Sequence, residues 1–128
     1  MAAMPRLNRI LLVLAAVAVL AVVPAAANAD GPTAQAAKRC GVGNTRGFGP
    51  TYLLSLSVRG TSCRNGRRLV RSYYNCRKRN GGRDGHCGRT LGYRCSERRF
   101  NKSRVSFDAS VRCKKGGRRI NHKYTQFT

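Results

Sequence analysis

Hydrophobic positions recur along this chain with two different periods, and each change of period marks a new element. Tyr52, Leu54, Leu56 and Val58 alternate with Thr51, Leu53, Ser55 and Ser57, which predicts a strand with one apolar face, ended by Gly60. The period then lengthens. Thr61 or Ser62 is suited to cap a helix running from about Cys63 to Cys76. At about 100° per residue, Gly66, Leu69, Val70, Tyr73 and Tyr74 gather on one arc, bordered by Cys63 and Cys76. Arg64, Arg67, Arg68 and Arg71 fall within roughly 100° of arc on the other side. From Arg77 to Arg89 four glycines forbid regular structure and predict a loop.

Period two returns for three more strands. Leu91, Tyr93 and Cys95 alternate. So do Val105, Phe107, Ala109, Val111 and Cys113, with Ser106, Asp108, Ser110 and Arg112 between them, and finally Ile120, His122 and Tyr124. Gly116-Gly117 is a two-residue hairpin turn. It sets Cys113 opposite Ile120, Val111 opposite His122 and Ala109 opposite Tyr124, so that all six side chains share a face. The expected fold is α+β, in the order β-α-β-β-β: one helix on the apolar face of a four-stranded antiparallel sheet.

The N-terminus has a different character. Arg6 and Arg9 precede an uncharged apolar run from Ile10 to Val23, Pro24 breaks it, and Ala27-Asn28-Ala29 supplies a small-x-small cleavage site. Fourteen apolar residues fall short of the roughly 20 of a spanning helix. Residues 1–29 are therefore expected to be a cleaved signal peptide, with no transmembrane segment left. Residues 30–50 read as a flexible N-terminal segment and glycine-rich loop, and 51–128 as a single domain.

The expected compartment bears on the cysteines. Cys40, Cys63, Cys76, Cys87, Cys95 and Cys113 all follow the leader, with 22, 12, 10, 7 and 17 residues between neighbours. An even number in a short exported chain reads as three disulfides. Zinc ligands usually stand two to four residues apart, so no metal site is expected. Cys76–Cys87, closing the short glycine-rich loop, is the favoured pair.

Charge changes the picture further. Beyond the leader, 24 cations stand against Asp30, Asp84, Glu97 and Asp108, a net charge of +20. Such a field attracts polyanions. The helix arginines Arg64, Arg67, Arg68 and Arg71, and the hairpin pairs Lys114-Lys115 and Arg118-Arg119, are the candidate anion-binding residues. Arg77-Lys78-Arg79 and Arg98-Arg99 are further basic clusters. The bland alternative is a solvated helix face and a charged hairpin, with arginine favoured by a GC-rich genome.

Catalytic chemistry is thinly supplied. His86 lies in the glycine-rich loop and His122 on the predicted core face, so no catalytic set and no cofactor is expected. Phe107-Asp108-Ala109-Ser110-Val111 is similar to a strand of the pancreatic-type ribonucleases. Ser106 stands where that family has its catalytic histidine, and the family's lysine motif is absent, so the likeness implies no activity here. Thr61-Ser62-Cys63, Gly92-Tyr93-Arg94-Cys95 and Val111-Arg112-Cys113 before a Gly-Gly turn resemble small secreted cysteine-containing proteins of the actinobacterial type. That resemblance implies a disulfide-bonded α+β domain outside the membrane.

The sequence thus points to a secreted, non-catalytic domain binding an anionic polymer, a cell-envelope surface or an acidic protein, with nucleic acid bound only non-specifically. The alternatives are a nuclease-like hydrolase and a cationic toxin or antimicrobial protein.

Overall fold

The computed structural model describes residues 35–43, 47–48 and 51–128. The predicted signal peptide lies outside the described residues. Three disulfides join Cys40 to Cys63, Cys76 to Cys87 and Cys95 to Cys113, and the favoured pair is among them.

The described residues form one helix and seven strands. β1 is Lys38–Cys40, β2 Gly47–Phe48, β3 Thr51–Arg59, α1 Cys63–Arg79, β4 Arg89–Thr90, β5 Tyr93–Phe100, β6 Ser106–Lys115 and β7 Arg118–Phe127; a 3-10 turn occupies Gly82–Asp84. All pairings are antiparallel, in the order β1-β3-β7-β6-β5-β4, with β2 also paired to β3. The α+β class with disulfides is as expected, but the count of four strands and the simple β-α-β-β-β order are not. The three additional strands, β1, β2 and β4, are two or three residues long and carry no readable period.

The β6–β7 hairpin turns at Gly116-Gly117, and it has the expected register at Cys113–Ile120, Val111–His122 and Ala109–Tyr124. Strict alternation plus a two-residue turn leaves only one register that buries all six side chains. β3 departs from expectation. Leu53, Leu56 and Val58 face the core, whereas Tyr52 and Leu54 are 48% and 54% exposed. A bulge between Leu53 and Ser55, opposite Tyr124 and Lys123, inserts one residue and shifts the phase of the alternation.

Ser62 caps α1 by accepting from the Asn65 N–H at 3.2 Å. The helix continues three residues beyond the expected Cys76, to Arg79, where the Asn80 N–H closes it onto Cys76 and Arg77 carbonyls. Its apolar side packs on the sheet: Leu69, Val70 and Tyr73 meet β3, β6 and β7 in one core with Val111 and Ile120. α1 and β3 come close together at Gly66. A Cβ there would lie 2.7 Å from Val58 Cγ1 and 3.4 Å from both Leu56 methyls. Gly66→Ala gains about 1 kcal/mol of helix propensity, but overpacking costs about 1–3 kcal/mol. We expect a net loss of about 1 kcal/mol, seen as a lower Tm by circular dichroism; a raised Tm would show that the contact yields freely.

Candidate functional site

α1 covers one face of the sheet, and the alternation of β3, β5, β6 and β7 sends every second side chain to the other. Three rows of that open face carry seven cations. The first row crosses four strands: Arg94 pairs with Lys114, Lys114 with Arg119, and Arg119 with Arg59. All four positions are cationic. The next row is Ser96, Arg112, Asn121 and Ser57, and the third is Arg98, Ser110, Lys123 and Ser55. Neighbouring strands stand about 4.8 Å apart, and like charges directly opposite one another destabilise a sheet. Among the described residues, the only ion pairs are Arg83–Asp84, His86–Glu97 and Arg99–Glu97, so none of the seven cations is in one.

Two open hollows lie on this face. One, of about 500 Å³, is lined by Ser96, Arg98, Ser110, Arg112 and Lys123 among others. The second, of about 390 Å³, is lined in part by Arg94, Arg112 and Lys114. Serine hydroxyls set between guanidinium and ammonium groups offer donors to the oxygens of phosphate, sulfate or carboxylate.

The residues singled out from the sequence fall in three places. Lys114 and Arg119 belong to the open-face row. Lys115 and Arg118 meet Arg68 of α1 around a hollow of about 300 Å³ beside Asn65, Leu91 and Tyr93. Lys115 is engaged there, donating to the Leu91 carbonyl at 3.4 Å with its Nζ over the Tyr93 ring. The remaining helix arginines stay apart from both. Arg67 donates to the Gly41 carbonyl at 3.0 Å, Arg71 lies over the Phe48 ring at 5.7 Å, and Arg64 is exposed. Arg98 comes from the Arg98-Arg99 cluster noted in the sequence, whereas Arg59, Arg94, Arg112 and Lys123 were missed by sequence reasoning. Their signal was the polar half of the same alternation that revealed the core.

A second polar assembly lies under the helix. The Glu97 side chain is 3% exposed. It accepts from the Tyr73 hydroxyl at 2.5 Å, the Tyr124 hydroxyl at 2.8 Å and Arg99 Nε at 2.5 Å. Burial pushes its carboxyl up, but these three donors outweigh burial and hold it below the ordinary carboxylate range. Both phenols are pushed up, chiefly by burial and also by the adjacent carboxylate.

Arg77, expected in an exposed basic run, is 2% exposed. The longer helix turns it inward. It donates to Gln126 Oε1 at 2.9 Å, Thr51 Oγ1 at 3.3 Å and the Arg83 carbonyl at 3.1 Å, and lies 4.4 Å from the Tyr124 ring centre. His122 packs against Tyr73 and Tyr124, and burial pushes its pKa down to about 3. Arg77 Nε and His122 Nδ1 are buried without a hydrogen-bond partner among the described residues. His86 is an exposed loop residue, with Nδ1 3.7 Å from Glu97 Oε1.

No group of three or more His, Cys, Asp or Glu residues is placed to hold a metal ion among the described residues. All six cysteines are in disulfides, which fits an oxidising environment. Among the described residues, no helix is long and apolar enough to cross a membrane. Comparison with protein-family models, curated proteins and solved structures finds no match for the chain.

Proposed function

We propose that this is an exported, non-catalytic domain that binds anionic polymers or surfaces through the open face of its sheet. The observation that carries this reading is the in-register row Arg59–Arg119–Lys114–Arg94. Such a row is unfavourable in the free protein and is relieved when polyanionic groups lie along it. The rigid sheet fixes the spacing of the stems, so the charges are arrayed before any ligand arrives. The helix arginines contribute to the long-range field, but Arg67 and Arg71 are tied to Gly41 and Phe48.

The test compares two variants of equal net charge. One replaces Arg59, Arg94, Lys114 and Arg119 by Gln. The other replaces the exposed Arg64, Arg71, Lys78 and Arg79 of α1 by Gln. Removing the row should lower the salt-dependence slope of DNA binding by about 3–4 and bring forward elution from heparin; removing the helix charges should do much less. Equal effects of the two sets would sink the proposal. So would elution of the parent protein at or below physiological salt.

A further inference from the structure

The open face is not basic throughout. Along the strands, its cations give way to an apolar end. Tyr52, Leu54 and Phe127 are 48%, 54% and 42% exposed there, and the Tyr52 and Phe127 rings meet edge to face at 5.7 Å. The fourth row, Phe100–Asp108–Thr125–Tyr52, has no cation. Its carboxylate is held by Thr125 Oγ1 at 2.6 Å and Asn101 Nδ2 at 2.8 Å.

The exposure of Tyr52 and Leu54 depends on a specific device. Simple alternation would place them on the same face as Leu56 and Val58. The bulge between Leu53 and Ser55 turns Tyr52 and Leu54 outward and Thr51 and Leu53 inward, while Leu56 and Val58 remain buried. Bulges re-aim side chains in this way.

We infer that the open face docks on an anionic lipid surface, with the cation rows against the headgroups and Tyr52, Leu54 and Phe127 entering the boundary with the acyl chains. This rests on the reading above and narrows it. Charge complementarity selects an anionic partner, and segregation of the apolar end selects a bilayer. Single-stranded nucleic acid asks for cations interleaved with stacking rings, because each base adjoins a phosphate. Acidic polysaccharides offer nothing apolar for Leu54 to enter. A bilayer presents charge and hydrocarbon in separate layers, about 5–10 Å apart in depth. Successive rows of a strand face are separated by about 6.8 Å, so the third row, with Arg98 and Lys123, is one such step from the row that contains Tyr52.

The chain contains no tryptophan. The exported protein carrying Leu54→Trp therefore reports on this site alone. With phosphatidylglycerol vesicles, its emission should move to shorter wavelength and become shielded from an aqueous quencher. It should do neither with phosphatidylcholine vesicles or heparin. Replacing Tyr52, Leu54 and Phe127 by Ser should weaken partition into anionic vesicles at least about tenfold while leaving heparin elution unchanged.

Vesicle binding without an emission shift, or equal partition of the triple-Ser variant, would overturn the inference as adsorption by charge alone. A shift that grows with protein concentration in the absence of lipid would also overturn it, assigning the patch to a second copy of the chain. Retention on heparin without binding to vesicles removes this inference and leaves the proposed function standing. Failure of both removes both.

Discussion

Titrating the folded domain from pH 7 to pH 4.5 will lower its stability by about 2.5 kcal/mol, and His122→Leu will remove most of that loss. His122 is 3% exposed and lies between Tyr73 and Tyr124. Burial pushes its pKa from the ordinary 6.5 down to about 3; the nearby Glu97 carboxylate opposes the shift weakly, and Arg77 reinforces it. The folded-state value is depressed, so the neutral ring is fully compatible with the fold above about 6.5. As pH falls below that, the unfolded chain takes up a proton that the folded domain refuses, and stability drops until about pH 3. For a domain of this size the loss corresponds to a Tm lowered by roughly 10–20 °C. Thermal unfolding at pH 7, 5.5 and 4.5, with the disulfides intact, reads it directly. An unchanged Tm in the parent protein would refute the assignment. Leucine is apolar and leaves no unpaired nitrogen where His122 Nδ1 now stands, so the variant should be no less stable at pH 5 than the parent.

Glu97→Ala should destabilise the domain by about 3–5 kcal/mol, because it strands the partners of a buried charge. The carboxylate is the shared acceptor of Tyr73, Tyr124 and Arg99. Without it, two phenols and a guanidinium remain beneath the helix. A loss of this size is a large share of the roughly 5–15 kcal/mol that holds a small domain together. Glu97→Gln keeps one acceptor oxygen and should cost less. Urea unfolding followed by circular dichroism gives the midpoints, and a shift equivalent to less than about 1 kcal/mol for Glu97→Ala would show that the three donors find other partners. The pH signature differs from that of His122. The Glu97 pKa is lowered from 4.5, so its contribution is complete above that value and is lost only at more acid pH. The window between 6.5 and 4.5 therefore reports on His122.

Where one physical constraint acted alone, the sequence was readable. Gly116-Gly117 and the unbroken alternation on either side determined the β6–β7 register, and Ser62 stood where a helix cap was needed. The Cys76–Cys87 bridge followed from a short loop. Where two constraints competed, the reading failed. Leu54 looked buried because it is in phase with Leu56 and Val58, but the bulge in β3 decided otherwise. Arg77 looked solvated because it is charged, yet its stem reaches a ready-made set of acceptors at Thr51, Arg83 and Gln126. Those residues lie 6 to 49 positions away in sequence, and only the folded chain brings them together. Half of the open face was missed for a different reason. Arg59, Arg94, Arg112 and Lys123 are separated along the chain, and they become one surface only through strand pairing.

The disulfides have a consequence for how such a chain acquires its bridges. Taken in order, the cysteines pair first with second, third with fourth and fifth with sixth, and no bridge encloses or crosses another. A chain threading N-terminus first into an oxidising space would present each thiol pair in turn, with the preceding pair already closed. The nearest free thiol is then always the correct partner. Oxidation in that order would reach this connectivity without any reshuffling of misplaced bridges.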